Sequence, residues 1–257
     1  MIKVLAIGNS FSIDARAFTA QIAAAAGIEI VFGNLHVRGC SLEQHWINAS
    51  QELAVYEFSK SGSESRQASI RDALRDDCWD FVTMQQASRF SGKPETYQPY
   101  LNELSAYVKA LAPRAEQLLH ETWAYELDSE NPAFKDYGCS QMQMYAQIRS
   151  AYYKAAKDIG ARLIPTGDAF QIARKNRLFD YAHGGRSLNR DGFHAGLTHG
   201  RYLIGCVWAE TLSGVSMVGN GFIPRLEEHP ELTPTSEELT VLQQAAHEAV
   251  AAQAARS

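Results

Sequence analysis

Ser10, Asp191 and His194 are the side chains whose types and spacing would do chemistry. The apolar run Ile2-Lys3-Val4-Leu5-Ala6-Ile7 reads as a buried strand and empties directly into Gly8-Asn9-Ser10-Phe11-Ser12. A strand that ends this way and turns into a helix delivers a serine hydroxyl to the carboxyl edge of a sheet. Far downstream, Asp191-Gly192-Phe193-His194 sets a carboxylate and an imidazole three positions apart, so one turn can aim the acid at one ring nitrogen and leave the other free. A serine hydroxyl is a weak nucleophile at neutral pH. It needs a base within hydrogen-bond reach, and the base needs a group that fixes its tautomer. The three residues supply those roles for acyl transfer, and the N–H groups of Ser10 and Gly39 are candidate donors to the oxyanion that such a reaction builds.

Strands alternating with helices must position these groups, a pattern that predicts a parallel sheet covered on both faces. After the first strand, residues 14–27 read as a helix with an acidic start and a Gly stop. Residues 29–37 form a second strand that breaks at Arg38-Gly39-Cys40, and Ser41 with Gln44 opens a short helix over 42–52. A helix is expected over 63–75, then a short strand at 80–84 ending in Gln85-Gln86. Helix 97–112, strand 116–123, helix 142–160 and strand 161–165 follow. A helix over 198–212 comes after the Asp-His motif, and Thr235 with Glu238 caps a terminal helix over 235–255. The expected architecture is a three-layer α/β/α sandwich around five parallel strands, built as one domain over residues 1–257. In such sheets ligands bind beyond the carboxyl ends of the strands, where Gly8-Asn9-Ser10, Arg38-Gly39-Cys40 and Gln85-Gln86 all fall.

Composition removes several function classes. A net charge of −5 with no basic run argues against nucleic acid or an anionic membrane surface as partner. No window approaches a membrane span, and the first residues lack the pattern of a secretory leader. The chain as it stands is expected in the cytoplasm, or outside it if a leader has been removed. The four cysteines, at 40, 78, 139 and 206, form no C-x-x-C pair and are expected to be reduced packing residues. His36, His45, His120 and His199 are too dispersed to argue for a metal, and the serine mechanism requires no cofactor.

Ser10 in its I-G-N-S-F-S block, Gly39 after the second strand, an amide after the third and Asp191-x-x-His194 resemble the SGNH (GDSL-type) hydrolase superfamily over about residues 2–212. The segments Gly39 to His45, Gln85 to Ser88 and Thr122 to Tyr125 are similar to a little-characterised branch of it. The resemblance implies a flavodoxin-like SGNH fold, Ser10 as nucleophile, His194 as base, Asp191 as its orienter and Gly39 as oxyanion donor. It also implies a side-chain amide in the oxyanion hole. Where the family usually has Asn in a Gly-x-Asn-Asp setting this chain has Gln85-Gln86-Ala87-Ser88, so the role passes to Gln86. Asn9 replaces the Asp common in the first block, which leaves the serine chemistry intact. The implied activity is a serine esterase removing a small acyl group, acetyl above all, from a carbohydrate. Asn9, Gln85, Trp123 and Tyr125 stand at strand ends as candidate substrate contacts. The implied partner is a small-molecule or carbohydrate ester.

Each residue also has a plainer role. Ser10 is placed to cap the first helix, Asp191-Gly192 to make a turn, Gly39 to supply a positive φ, and the two glutamines to satisfy neighbouring backbone. Trp46, Tyr97, Trp123 and Tyr125 would by default be core rather than stacking platforms. A nucleotide binder would want a small-residue phosphate loop where Phe11 stands, and no G-x-S-x-G elbow of an α/β-hydrolase occurs. An inactive carbohydrate-binding or scaffold protein on the same fold is the remaining alternative.

Overall fold

The computed structural model describes residues 1–256. Its strands are β1 (Ile2–Gly8), β2 (Ile30–His36), β3 (Tyr56–Lys60), β4 (Arg66–Ala68), β5 (Phe81–Met84), β6 (Glu116–His120) and β7 (Arg162–Ile164), joined in one sheet of order β4-β3-β2-β1-β5-β6-β7. The five strands β2, β1, β5, β6 and β7 run parallel. Beyond β2, β3 and β4 continue the sheet antiparallel. β1 lies at the centre, and Val4, Leu5, Ala6 and Ile7 are each no more than 1% exposed, as a strand covered on both faces requires.

The main helices are α1 (Ser10–Ala25), α2 (Leu42–Ser50), α3 (Ile70–Asp76), α4 (Tyr100–Leu111), α5 (Gln141–Ile159), α6 (Thr166–Ala173), α7 (His199–Ser213) and α8 (Ser236–Ala254). Alternation along β1 sorts them into two layers. Val4 and Ala6 face a core built with α1, α6, α7 and α8, while Leu5 and Ile7 face a second core built with α2, α3, α4 and α5. The result is an α/β/α sandwich.

The sheet has seven strands among the described residues, where five were expected. The expected helix over 63–75 is divided: Arg66–Ala68 pairs with β3, and only Ile70–Asp76 is helical. The physical reason is local. Tyr56 and Phe58 are buried while Glu57 between them is exposed, a period-2 pattern that suits a strand beside β2. Ser69 then stops the strand by forming a capping box with Asp72. The strand expected over 116–123 leaves its ladder after His120. Helix α1 starts at Ser10 instead of Asp14, which makes the serine the first residue of the helix. All four cysteines are free thiols, and among the described residues no helix is long and apolar enough to cross a membrane.

Candidate active site

The turn from β1 into α1 frees Ser10 from capping duty. Asn9 is the N-cap: its Oδ1 accepts from the Phe11 N–H at 3.1 Å, and its Nδ2 donates to the Cys40 carbonyl at 3.0 Å. Gly8 lets strand and helix approach this closely, because a Cβ there would lie 2.5 Å from Ser12 Oγ. As the first helical residue, Ser10 has a backbone N–H with no intrahelical acceptor, and it stands at the positive end of the α1 dipole.

His194 and Asp191 belong to a tight reversal, residues 189–195, closed by the antiparallel bridge between Asn189 and Ala195 and by the Arg190 N–H to the His194 carbonyl at 3.0 Å. His194 Nε2 is 2.9 Å from Ser10 Oγ, and His194 Nδ1 is 2.7 Å from Asp191 Oδ2. The other oxygen of Asp191 accepts the His194 N–H at 2.8 Å and the Phe193 N–H at 3.3 Å. Partial burial alone would raise the Asp191 carboxyl, but the bonds from His194 outweigh it and hold the acid below its ordinary value. An ionised Asp191 can only accept, so Nδ1 carries the ring proton and the Nε2 lone pair faces the serine hydroxyl. The structure thus brings all three predicted side chains into one hydrogen-bonded row.

Gly39 sits in the turn of residues 37–40 after β2, with φ +62° and a 3.2 Å bond from the Cys40 N–H to the Val37 carbonyl. Among the described residues the Gly39 N–H has no acceptor, and the Asn9 bond to Cys40 ties this turn to the residue before Ser10. Arg89 Nη1 donates to the Gly39 carbonyl at 3.1 Å, and its guanidinium lies over the Phe90 ring.

The two glutamines stand elsewhere than the sequence suggested. Gln86 is 1% exposed; its Oε1 accepts from the Leu42 N–H at 3.0 Å and the Ala87 N–H at 2.8 Å, and its Nε2 donates to the Thr96 carbonyl and hydroxyl, both at 3.1 Å. The amide is committed to Thr96 and to the start of α2, so the expectation that Gln86 donates to an oxyanion is corrected. It is a strut joining the starts of α2 and the loop before α4. Gln85 Nε2 donates to Asn9 Oδ1 at 2.8 Å, and its Oε1 meets His120 Nδ1 at 2.9 Å. Burial lowers the His120 pKa to about 3, so that ring is neutral and supports Gln85, which supports the cap. Asn9 and Gln85, at 2% exposure each, hold the serine turn from beneath and are not open substrate contacts.

Trp123 and Tyr125 take the core role that was their default, and as candidate substrate contacts they are corrected. Both are fully buried. The Trp123 ring is stacked between Phe11 (4.2 Å) and Phe170 (4.8 Å), and its Nε1 donates to the Phe193 carbonyl at 2.8 Å. Tyr125 packs on Phe134 and Phe193 with its hydroxyl 2.9 Å from Ser88 Oγ. Tyr97 is buried as well, and Trp46, half-buried, meets Tyr107 edge-on. Among the described residues no group of three or more His, Cys, Asp or Glu is arranged to hold a metal.

Sequence reasoning missed Asp14, one helical turn beyond Ser10, which is fully buried and accepts from Arg190, Arg201 and the Ala195 N–H. A signal for it existed. Asp14 falls on the stripe of Phe11, Ala15 and Phe18, where a charge must be both buried and partnered.

A family model described as "Domain of unknown function (DUF4886)" matches residues 3–249. A search of curated proteins finds no match. Among solved structures, a DUF4886 family protein from Bacteroides uniformis ATCC 8492 is 36% identical, with a TM-score of 0.89 over 97% of this chain and 95% of that one. A protein provisionally described as an SGNH hydrolase, from Slackia heliotrinireducens, is 22% identical with a TM-score of 0.55, covering 81% of this chain and 97% of its own. A variant of an acetyl-xylooligosaccharide esterase from Geobacillus Stearmophilus is 14% identical with a TM-score of 0.50, covering 84% and 95% respectively. The resemblance read from the sequence therefore holds at the level of the fold, which this chain shares with SGNH hydrolases.

Proposed function

We propose that this chain, which belongs to the DUF4886 family, is a serine esterase that hydrolyses a small acyl ester, with acetyl on a carbohydrate as its substrate class. The observation that carries the reading is the row Ser10 Oγ, His194 Nε2, His194 Nδ1, Asp191 Oδ2, with contacts of 2.9 and 2.7 Å. Ser10 Oγ attacks the ester carbonyl carbon while its proton passes to Nε2, and Asp191 stabilises the imidazolium that results. The carbonyl oxygen becomes an oxyanion facing the N–H groups of Ser10 and Gly39, at the positive end of α1. Collapse breaks the ester C–O bond, and the alcohol leaves with the proton from Nε2. Water then attacks the acyl-serine by the same route, giving the free acid and restoring Ser10.

The acyl and sugar parts of the proposal take their cue from the acetyl-xylooligosaccharide esterase on the same fold. With Trp123 and Tyr125 buried, the groups left to meet a sugar are exposed or half-buried ones near the row, such as Arg89, Ser88 and the Phe193 ring beside His194. A fluorophosphonate probe, followed by a panel of acetylated sugars and p-nitrophenyl esters, tests the reading. Covalent labelling confined to Ser10, with turnover lost in Ser10→Ala, is expected. Equal turnover by both proteins overturns the nucleophile assignment, and a folded wild type that neither labels nor turns over any ester favours the inactive carbohydrate binder.

A further inference from the structure

Asp14 joins the helix that carries the nucleophile to the reversal that carries the acid-base pair. Its carboxylate is fully buried. Oδ1 accepts from Arg190 Nη1 at 2.9 Å and Arg201 Nε at 2.8 Å; Oδ2 accepts from Arg190 Nη1 at 3.1 Å and the Ala195 N–H at 3.2 Å. Arg190 Nη1 also donates to the Ala195 carbonyl. One carboxylate therefore grips three pieces of chain: the first turns of α1, both ends of the 189–195 reversal, and the first turn of α7. Ser10 lies four residues before Asp14 on the same helix, and His194 lies next to Ala195. Both ends of the 2.9 Å contact between Oγ and Nε2 are thus referred to this one side chain.

We infer that Asp14 is a positioning residue for His194, an inference that rests on the serine-esterase reading: it sets the distance between base and nucleophile without touching substrate. A buried carboxylate is costly unless fully partnered, and this one is partnered by the segments whose separation the chemistry depends on. The second clamp on the reversal holds its other flank. Arg174 Nη2 donates to Asn189 Oδ1 at 2.7 Å, and the Glu126 N–H donates to the Gly192 carbonyl at 2.7 Å. That clamp anchors the reversal to the loop after β6 and to Arg174 at the end of α6. Toward α1 the reversal is held by the Trp123 ring, packed on Phe11 and bonded to the Phe193 carbonyl, and by Asp14, which supplies the ionic grip. Displacements of about 1 Å in a catalytic base cost up to roughly 100-fold in rate.

Asp14→Asn keeps the shape and weakens the grip on both arginines. In the full chain, kcat for a p-nitrophenyl ester is expected to fall about 10- to 100-fold with KM within about twofold, and fluorophosphonate labelling of Ser10 to slow by the same factor. Arg201→Lys, which keeps the charge on α7, is expected to lose less than Arg201→Ala. A second readout is independent of turnover: the downfield proton resonance of the His194 Nδ1–H bonded to Asp191, lost in Asp191→Asn, is expected to shift or broaden in Asp14→Asn. If Asp14→Asn melts earlier yet keeps wild-type kcat, labelling rate and His194 resonance below its Tm, the positioning role is overturned and Asp14 is only a structural ion partner. If the variant fails to fold, Arg190→Ala and Arg201→Ala take its place in the same measurements, and wild-type values in both overturn the role equally. If the wild type neither labels nor turns over any ester, the esterase reading fails on its own, and the His194 resonance alone decides whether Asp14 positions the ring.

Discussion

The reversal that holds Asp191 and His194 and the glutamine pair after β5 were both marked by sequence as parts of one site, and the structure treats them in opposite ways. In the reversal, acid and imidazole meet through a local i,i+3 contact of 2.7 Å, reinforced by two backbone N–H groups on the same carboxylate. At Gln85 and Gln86 both amides are spent on the scaffold, one on the Asn9 cap and one on Thr96. The lesson concerns range. A motif whose partners sit within one turn carries its geometry with it. A long flexible amide takes whichever partner the tertiary fold offers, and a buried amide without one would cost about 1–3 kcal/mol.

The contrast can be broken from either side. His194→Ala is expected to have the largest effect, a fall in kcat of at least ~10³-fold with Tm almost unchanged, and Asp191→Asn a loss somewhat smaller or equal. Retained activity in His194→Ala would move the base elsewhere and erase the distinction between the two regions. Gln86→Ala should behave differently in kind: it leaves the Leu42 and Ala87 N–H groups and Thr96 without their partner, so about 1–3 kcal/mol of stability is lost, read from a denaturant midpoint, with kcat on the folded fraction changed less than about fivefold. A hundredfold loss of kcat at unchanged stability would return Gln86 to the oxyanion site.

The smallest effect is on α8 and depends on pH. Burial would raise the Glu238 carboxyl, but the Thr235 N–H, His199 and Arg186 outweigh it and hold the pKa at about 2, below the ordinary 4.5. The folded protein thus binds that proton less tightly than the unfolded chain, so the stabilisation is complete above about pH 4.5 and is lost as pH falls toward 2. Glu238→Gln is expected to cost on the order of 1–2 kcal/mol at pH 7, with the gap in Tm between variant and parent closing toward pH 2.

The same rule of range explains what else was legible. The central strand β1 is readable because Val4 to Ile7 form a continuous apolar run, and the capping box of α8 because Thr235 and Glu238 are three apart. β4 is not readable: Arg66 and Gln67 are exposed, Ala68 is its one buried residue, and only pairing with β3 makes a strand of them. Asp14 escapes notice because its arginine partners lie 176 and 187 residues away, although its place on an apolar stripe announces that partners have to exist. Asn9 looks in the sequence like a neutral replacement in the first block, yet it takes over helix capping and releases the serine that follows it.

The Trp123 ring, sandwiched by Phe11 and Phe170 and tied to the Phe193 carbonyl, links the residue after the serine to the residue before the imidazole. Its indole N–H would meet water as soon as the 189–195 segment lifted away, which gives the molecule a built-in optical gauge. Fluorescence emission from this one indole, isolated by replacing Trp46, Trp79 and Trp208 with Phe, would shift to the red on such lifting and report how the two halves of the site are seated in the absence of any substrate.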